Sequence, residues 1–214
     1  MLEVDAIFFD VDGTLLDARQ DIVNAVNYTL KRSGYPERAF GDIVAYIGTG
    51  VKDLLAKSLG DSDPVLIDKV LPLFDRYYGE HAIDTATLYP NVKETLESLS
   101  AKKKYIITNR FARFADSALS GLGIRRYFEG IIGGDDDLCM KPSGCVVTRA
   151  LSKYGILKSR ALMVGDMDID IMTGRNGGIA TCFVTYGLGT LDQVKALFPD
   201  FVIDDISELT GIIK

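Results

Sequence analysis

The chain has one histidine, three cysteines and no long apolar run, and each shortage removes a class of function. With His81 as the single histidine, a histidine-led triad or a multi-histidine metal site has almost nothing to draw on. Cys139, Cys145 and Cys182 form no CxxC pair and are odd in number. Neither a disulfide framework nor a zinc ribbon is expected from them, and reduced thiols in a cytoplasmic protein fit better. No stretch approaches the roughly 18 consecutive apolar residues of a membrane span. The opening Met1-Leu2-Glu3-Val4-Asp5 carries acids where a signal peptide wants bases. Positive charge is also short, with 24 Lys and Arg against 30 Asp and Glu, a net charge of −6. Broad nucleic-acid binding needs a basic surface that displaces counterions, so no nucleic-acid partner is expected and no membrane partner either. Any positive charge that meets a phosphorylated substrate must be local.

What is present is an ordinary globular composition, 214 residues at 47% hydrophobic and 25% charged, enough for one domain carrying a smaller insertion. Continuous β-branched or aromatic runs at Ala6–Phe9, Tyr105–Thr108, Gly130–Ile132, Ala161–Val164, Thr181–Thr185 and Phe201–Ile203 read as buried parallel strands. Helix-period sets lie between them: Val92, Leu96 and Leu99; Phe114, Ala118, Leu119 and Leu122; Val147, Ala150, Leu151 and Tyr154. Alternation of this kind predicts an α/β fold with a doubly wound parallel sheet. One interval departs from it. From Asp17 to Thr87 only helical patterns appear, with Ile22, Val26 and Leu30 in one, Val51, Leu54, Leu55 and Leu59 in a second, and a looser third that Pro72 interrupts. That length exceeds a crossover, so residues 17–87 are expected to be an inserted helical cap, with residues 1–16 and 88–214 as the core.

Ligands of doubly wound sheets bind beyond the carboxyl ends of the strands. The first predicted strand runs into Asp10-Val11-Asp12-Gly13-Thr14, the second into Thr108-Asn109, and the fourth into Gly165-Asp166 with Asp170 beyond; a loop after the third carries Lys141-Pro142. Carboxylates gathered on one rim repel unless a cation sits among them, and an all-oxygen set suits a hard ion, Mg²⁺.

Asp10-Val11-Asp12-Gly13-Thr14-Leu15 resembles the first motif of the haloacid dehalogenase superfamily, and Thr108, Lys141 and Gly165-Asp166…Asp170 resemble the other three in order. The insertion after the first motif is similar to that superfamily's small α-helical cap. Tyr89-Pro90, Thr108-Asn109, Gly174-Arg175-Asn176 and Val202-Ile203-Asp204 bring the phosphoglycolate phosphatase-like branch nearest. The resemblance implies a Rossmann-like core and a Mg²⁺-dependent phosphatase acting on a small phosphorylated metabolite, with 2-phosphoglycolate first. It implies Asp10 as the nucleophile that forms an aspartyl-phosphate and Asp12 as the acid and base. Asp10, the backbone of Asp12 and Asp166 would hold the metal, with Asp170 acting through water or through Asp166. Thr108 and Lys141 would hold the phosphoryl oxygens, and Asn109 could add a donor.

The chain departs from the pattern where Arg110 replaces the usual lysine after Thr-Asn and where Lys141-Pro142-Ser143 lacks a second proline. These departures leave the catalytic groups in place and leave other outcomes open: a pyrophosphatase, a nucleoside-monophosphate or sugar-phosphate phosphatase, a β-phosphoglucomutase-like mutase, or a non-catalytic phosphate-binding protein. A receiver-type phospho-acceptor fits poorly, because its acceptor lies strands later than its acid pair. Gly48-Thr49-Gly50-Val51-Lys52 lacks Walker A spacing and reads as a cap loop, where Lys52 could meet the leaving group. Asp135-Asp136-Asp137 reads as a solvated supporting loop, and His81 as a cap residue without chemistry. Hinges are expected near Leu15–Ala18 and Thr85–Tyr89. A monomer and a homodimer are both compatible with the sequence.

Overall fold

All six apolar runs become strands of one sheet in the computed structural model, which describes residues 1–214. They are β1 (Ala6–Phe9), β4 (Lys103–Ile107), β5 (Gly130–Ile132), β6 (Ala161–Gly165), β7 (Ala180–Val184) and β8 (Phe201–Ile203), in the order β5-β4-β1-β6-β7-β8. Every neighbouring pair is parallel. β1 is buried at all four positions, as a strand covered on both faces must be, which is why it reads as an unbroken apolar run. β4 begins earlier than its apolar core suggests. Lys104 is buried within it, its amine donating to the carbonyls of Leu99 at 2.6 Å and Lys102 at 3.0 Å, so a charged letter hides strand residues.

Helices α5 (Val92–Ser98), α6 (Ala112–Gly121), α7 (Gly144–Tyr154) and α8 (Asp168–Gly177) connect the strands, the first three burying the face their periodicity marks. From β1 the chain moves to β4 and then β5 on one side, and afterwards to β6, β7 and β8 on the other. The order therefore reverses beside β1, where doubly wound sheets open a crevice.

Four helices occupy the insertion: α1 (Arg19–Arg32), α2 (Phe40–Val44), α3 (Val51–Leu59) and α4 (Pro64–His81). α4 runs unbroken through Pro72, contrary to the expected interruption. An internal proline costs about 3 kcal/mol, but Pro72 faces solvent, where water can satisfy the freed carbonyl, while Ile67, Val70, Phe74 and Tyr78 bury the opposite side. A short strand pair also escaped the sequence reading: β2 (Leu16–Asp17) lies antiparallel to β3 (Thr87–Leu88). Two residues are too few to show a period, yet they draw together both connections between insertion and core. Asp21 of α1 reinforces the junction by accepting from Thr85 N–H (3.0 Å), Thr85 Oγ1 (2.7 Å) and Ala86 N–H (2.9 Å).

Candidate active site

Parallel neighbours lie about 4.8 Å apart, so three adjacent strands that end within one residue of one another deliver their next residues to one rim. β4, β1 and β6 do so with Thr108, Asp10 and Asp166, and the first turn of α8 adds Asp170. Carboxylate oxygens of Asp10, Asp166 and Asp170 all lie within 4.8 Å of one another, and all three residues are buried. Lys141 enters from the loop after β5, its Nζ 2.7 Å from Asp10 Oδ1 and 2.6 Å from Asp170 Oδ1. Asp170 is further fixed by Met167 N–H, which donates to Oδ2 at 3.0 Å. Asp166 accepts from Thr14 Oγ1 at 2.8 Å and from Leu188 N–H at 2.7 Å. Glycine is required on both sides of it, since a Cβ at Gly13 (φ +87°) or at Gly187 would overlap its carboxylate.

The electrostatics follow from burial. Loss of water, followed by repulsion from Asp170 and Asp12, pushes the Asp10 carboxyl up to about 7 despite Lys141. Burial, with Asp170 and Asp10 as neighbours, pushes Asp166 up to about 8. Burial alone would lower the Lys141 ammonium, but Asp10 and Asp170 outweigh it and hold the group above its ordinary value. A cluster that lifts its own carboxyls into the neutral range is short of positive charge. Its donors are all oxygens, and the closely fitted glycines leave the acids converging, so the residues fit a divalent cation.

Asp12 and Asn109 have partners in the structure that their expected roles do not include. Both oxygens of Asp12 are taken by Arg110, whose Nε donates to Oδ2 at 2.9 Å and whose Nη2 donates to Oδ1. Asn109 was expected to offer a donor to phosphate. Its side-chain amide is instead committed to Lys141 O at 3.0 Å and to Gly48 O at 2.9 Å, while its Oδ1 accepts from Lys141 N–H at 2.9 Å. It holds the lysine loop in place and ties the insertion to the core. Thr108 Oγ1 accepts from Arg110 N–H at 3.2 Å, and its own hydroxyl hydrogen remains available toward the cavity that the residue lines.

That cavity lies between the strand ends and the insertion, with about 460 Å³ of empty space when its open mouth is counted. Asp10, Asp12, Thr108 and Lys141 form its floor, and Ile47, Val51, Leu54, Phe74 and Tyr78 form an apolar roof. Gly48 and Gly50 line it too, but Lys52 does not; its ammonium pairs with Asp137 at 2.7 Å on the surface. Asp135 caps α6 by accepting from Ala112 N–H at 2.8 Å, and Asp136 pairs with Arg149 at 2.5 Å, so this acidic loop serves structure. His81 pairs with Asp84 at 2.8 Å, away from the cavity.

The cysteine expectation is overturned. Cys139 and Cys145 form a disulfide, with Cα atoms 5.6 Å apart, and only Cys182 is a free, buried thiol. The tight loop through Lys141-Pro142 brings together residues six apart, a proximity that neither an odd count nor a missing CxxC can register. Arg110 and Tyr78 are the site residues the sequence reading missed. The only signal was the exchange of a lysine for Arg110; Tyr78 looked like one more apolar position of α4.

Comparison with known proteins agrees with this geometry. The haloacid dehalogenase-like hydrolase family matches residues 7–184. A phosphoglycolate phosphatase of Vibrio parahaemolyticus is 33% identical, covering 99% of this chain and 96% of its own length. One from Aquifex aeolicus is 34% identical, covering 96% and 95%. Among solved structures, a predicted phosphoglycolate phosphatase of Haemophilus somnus superposes with a TM-score of 0.91 at 27% identity, covering 99% of both chains. A haloacid dehalogenase-like family hydrolase of Streptococcus pneumoniae gives 0.85 at 28% identity, covering 98% of both. The chain belongs to the haloacid dehalogenase-like hydrolase family, and within it to the phosphatases.

Proposed function

We propose that this phosphatase is Mg²⁺-dependent and hydrolyses 2-phosphoglycolate through an aspartyl-phosphate on Asp10. The observation that carries the reading is the convergence of Asp10, Asp166 and Asp170 with Lys141 beneath a cavity closed over by the insertion. Its relatives from Vibrio and Aquifex bear the name phosphoglycolate phosphatase, which supports the substrate.

In this reading Asp10 attacks phosphorus while Asp12 gives a proton to the leaving oxygen. Asp12 then takes a proton from the water that opens the acyl phosphate, returning Asp10 and releasing phosphate. Thr108 and Lys141 meet the equatorial phosphoryl oxygens, where donors already in place stabilise charge as it spreads. Asp10, Asp166 and the backbone carbonyl of Asp12 would hold Mg²⁺. When bound, the ion neutralises the acids and the transferring phosphoryl group. Both oxygens of Asp170 already have partners in Lys141 and Met167, which suits an outer role that orients lysine and helix around the ion. Residues 17–87 act as a cap that opens for loading and closes to exclude water, flexing where β2 and β3 pair.

The test is phosphate release from 2-phosphoglycolate, pyrophosphate, nucleoside monophosphates and sugar phosphates, with Mg²⁺ and with chelator, beside Asp10→Asn. The expected result is Mg²⁺-dependent turnover highest on 2-phosphoglycolate and abolished by the substitution. Turnover that survives Asp10→Asn refutes the nucleophile, and a preference for another substrate refutes the assignment.

A further inference from the structure

Two residues that line the cavity each bury a polar atom that has no hydrogen-bond partner: Nη1 of Arg110 and Oη of Tyr78. Arg110 is 6% exposed and Tyr78 is 2% exposed, and both line the same cavity as Asp10 and Asp12. Leaving such donors unpaired away from water is unfavourable, and here they come from opposite sides of the cleft. Arg110 follows β4 in the core, and Tyr78 lies on α4 of the insertion, with the guanidinium 5.3 Å from the tyrosine ring centre.

The guanidinium is used along one edge only. Nε and Nη2 hold the two oxygens of Asp12, and Nη1 has no hydrogen-bond partner, the guanidinium lying over the Tyr78 ring. The other cations near the cavity are committed. Lys141 serves Asp10 and Asp170, and Lys52 is paired with Asp137 outside it. The remaining roof is aliphatic or aromatic, so Arg110 is the one charged group placed to meet a second anion on a substrate whose phosphoryl group lies at Asp10.

The geometry points to a carboxylate subsite made by Arg110 Nη1 and Tyr78 Oη, which selects phosphorylated short-chain carboxylic acids over uncharged phosphoesters. This deepens the phosphatase reading above and rests on it for the position of the phosphoryl group. Asp12 serves the bridging oxygen in that reading. In a 2-phosphorylated acid a single carbon separates that oxygen from the carboxylate, so the arginine already gripping Asp12 sits beside the second anion. Arginine suits the task because its planar fork engages two carboxylates on different edges, whereas a lysine ammonium is a single point charge. Tyr78 gives the subsite a donor from the cap, so the carboxylate is fully held only when cap and core are closed on it.

The test compares 2-phosphoglycolate with ethyl phosphate, which replaces the carboxylate by a methyl group. It uses the full-length protein with Mg²⁺, and Arg110→Gln, Arg110→Lys and Tyr78→Phe beside the wild type. Arg110→Gln also loosens Asp12, so kcat/KM falls for both substrates; the readout is their ratio. Truncating one partner of a buried charged hydrogen bond costs about 2–5 kcal/mol, so the wild-type preference for the carboxylate is expected to fall about 30-fold or more. Arg110→Lys should fall short of full rescue, and Tyr78→Phe, which keeps the ring, should lower the ratio about 3- to 10-fold. Equal losses on both substrates would mean that Arg110 only positions Asp12, and would overturn the subsite, as would a wild-type ratio near one.

Calorimetric affinities of the two compounds for Asp10→Asn, alone and combined with Tyr78→Phe, separate this proposal from the catalytic one. A carboxylate preference in binding that Tyr78→Phe reduces sustains the subsite even where no turnover is seen. Absence of any preference in binding refutes it even where turnover is strong.

Discussion

Replacing Asp10 by Asn should abolish turnover and at the same time stabilise the metal-free protein, increasingly so as pH rises. Burial and its acidic neighbours raise the Asp10 carboxyl from 3.8 to about 7 in the folded chain. Between those values the folded state keeps the proton and the unfolded state has released it. The unfolded state therefore binds fewer protons, and wild-type stability falls with pH through this window before levelling off above about 7. At about 1.4 kcal/mol per unit, the penalty grows by roughly 2–3 kcal/mol between pH 5 and pH 8 when the neighbouring acids are held fixed. Asn carries no such charge, and its oxygen can still accept from Lys141. Urea denaturation of both proteins in chelator at the two pH values measures the difference directly. By thermal melting the same gain corresponds to about 4–12 °C for a chain of this size. Saturating Mg²⁺ should bring the wild type back up, because an ion that binds only the folded state stabilises it. An Asn advantage independent of pH would refute the reasoning, since it would mean that the Asp10 charge is already compensated without a cation.

Lys141→Met leaves Asp10 and Asp170 facing each other without their shared cation. It should lower kcat/KM at least 100-fold and cost about 3–5 kcal/mol in urea denaturation; near wild-type stability would contradict the two ion pairs. Gly13→Ala places a methyl group against the Asp166 carboxylate at a positive φ. Calorimetric Mg²⁺ affinity should drop at least 10-fold, and unchanged affinity would remove Asp166 from the cation site. Asp21→Ala orphans the Thr85 and Ala86 donors where α1 meets the returning chain. A loss of about 2–3 kcal/mol is expected, accompanied by a rise in KM as the cap loosens; stability within about 0.5 kcal/mol of wild type would show that this junction is not held by Asp21.

The central strands were legible because a strand buried on both faces has only one way to look, and Ala6–Phe9 begins and ends where its apolar run does. The acids were legible for a related reason: Asp10 and Asp166 each end an apolar strand, which is costly without a charged purpose. What stayed hidden depends on contacts between segments far apart in the chain. Arg110 pairs with a residue 98 positions away and Asn109 with Gly48, 61 positions away, and nothing in the letters near them records those partners. Tyr78 belongs to a helix whose buried face serves packing, so its unpaired hydroxyl has no sequence signature. Pro72 misled because a proline is read without knowing which side of the helix it faces. The Cys139–Cys145 pairing follows from how the lysine loop folds back, a matter of backbone path rather than composition.

Charge balance links these visible and hidden parts. Taken ionised, Asp10, Asp12, Asp166 and Asp170 set four negative charges at one end of the sheet, and Lys141 and Arg110 return two positive ones. The excess of two is what one divalent cation cancels and a monovalent ion cannot, which is the physical reason for expecting the former. The two basic residues are not interchangeable within this balance. Lys141 lies between Asp10 and Asp170, which engage two of its three ammonium hydrogens and leave the third for a phosphoryl oxygen. Arg110 lies toward the cap, holds Asp12 by one edge and keeps a nitrogen in reserve. With the cation bound the floor is close to neutral, so the dianionic phosphoryl group is held chiefly by directional donors. A second substrate charge then needs a charged donor of its own, and among the lining residues an unpaired one is found only on Arg110.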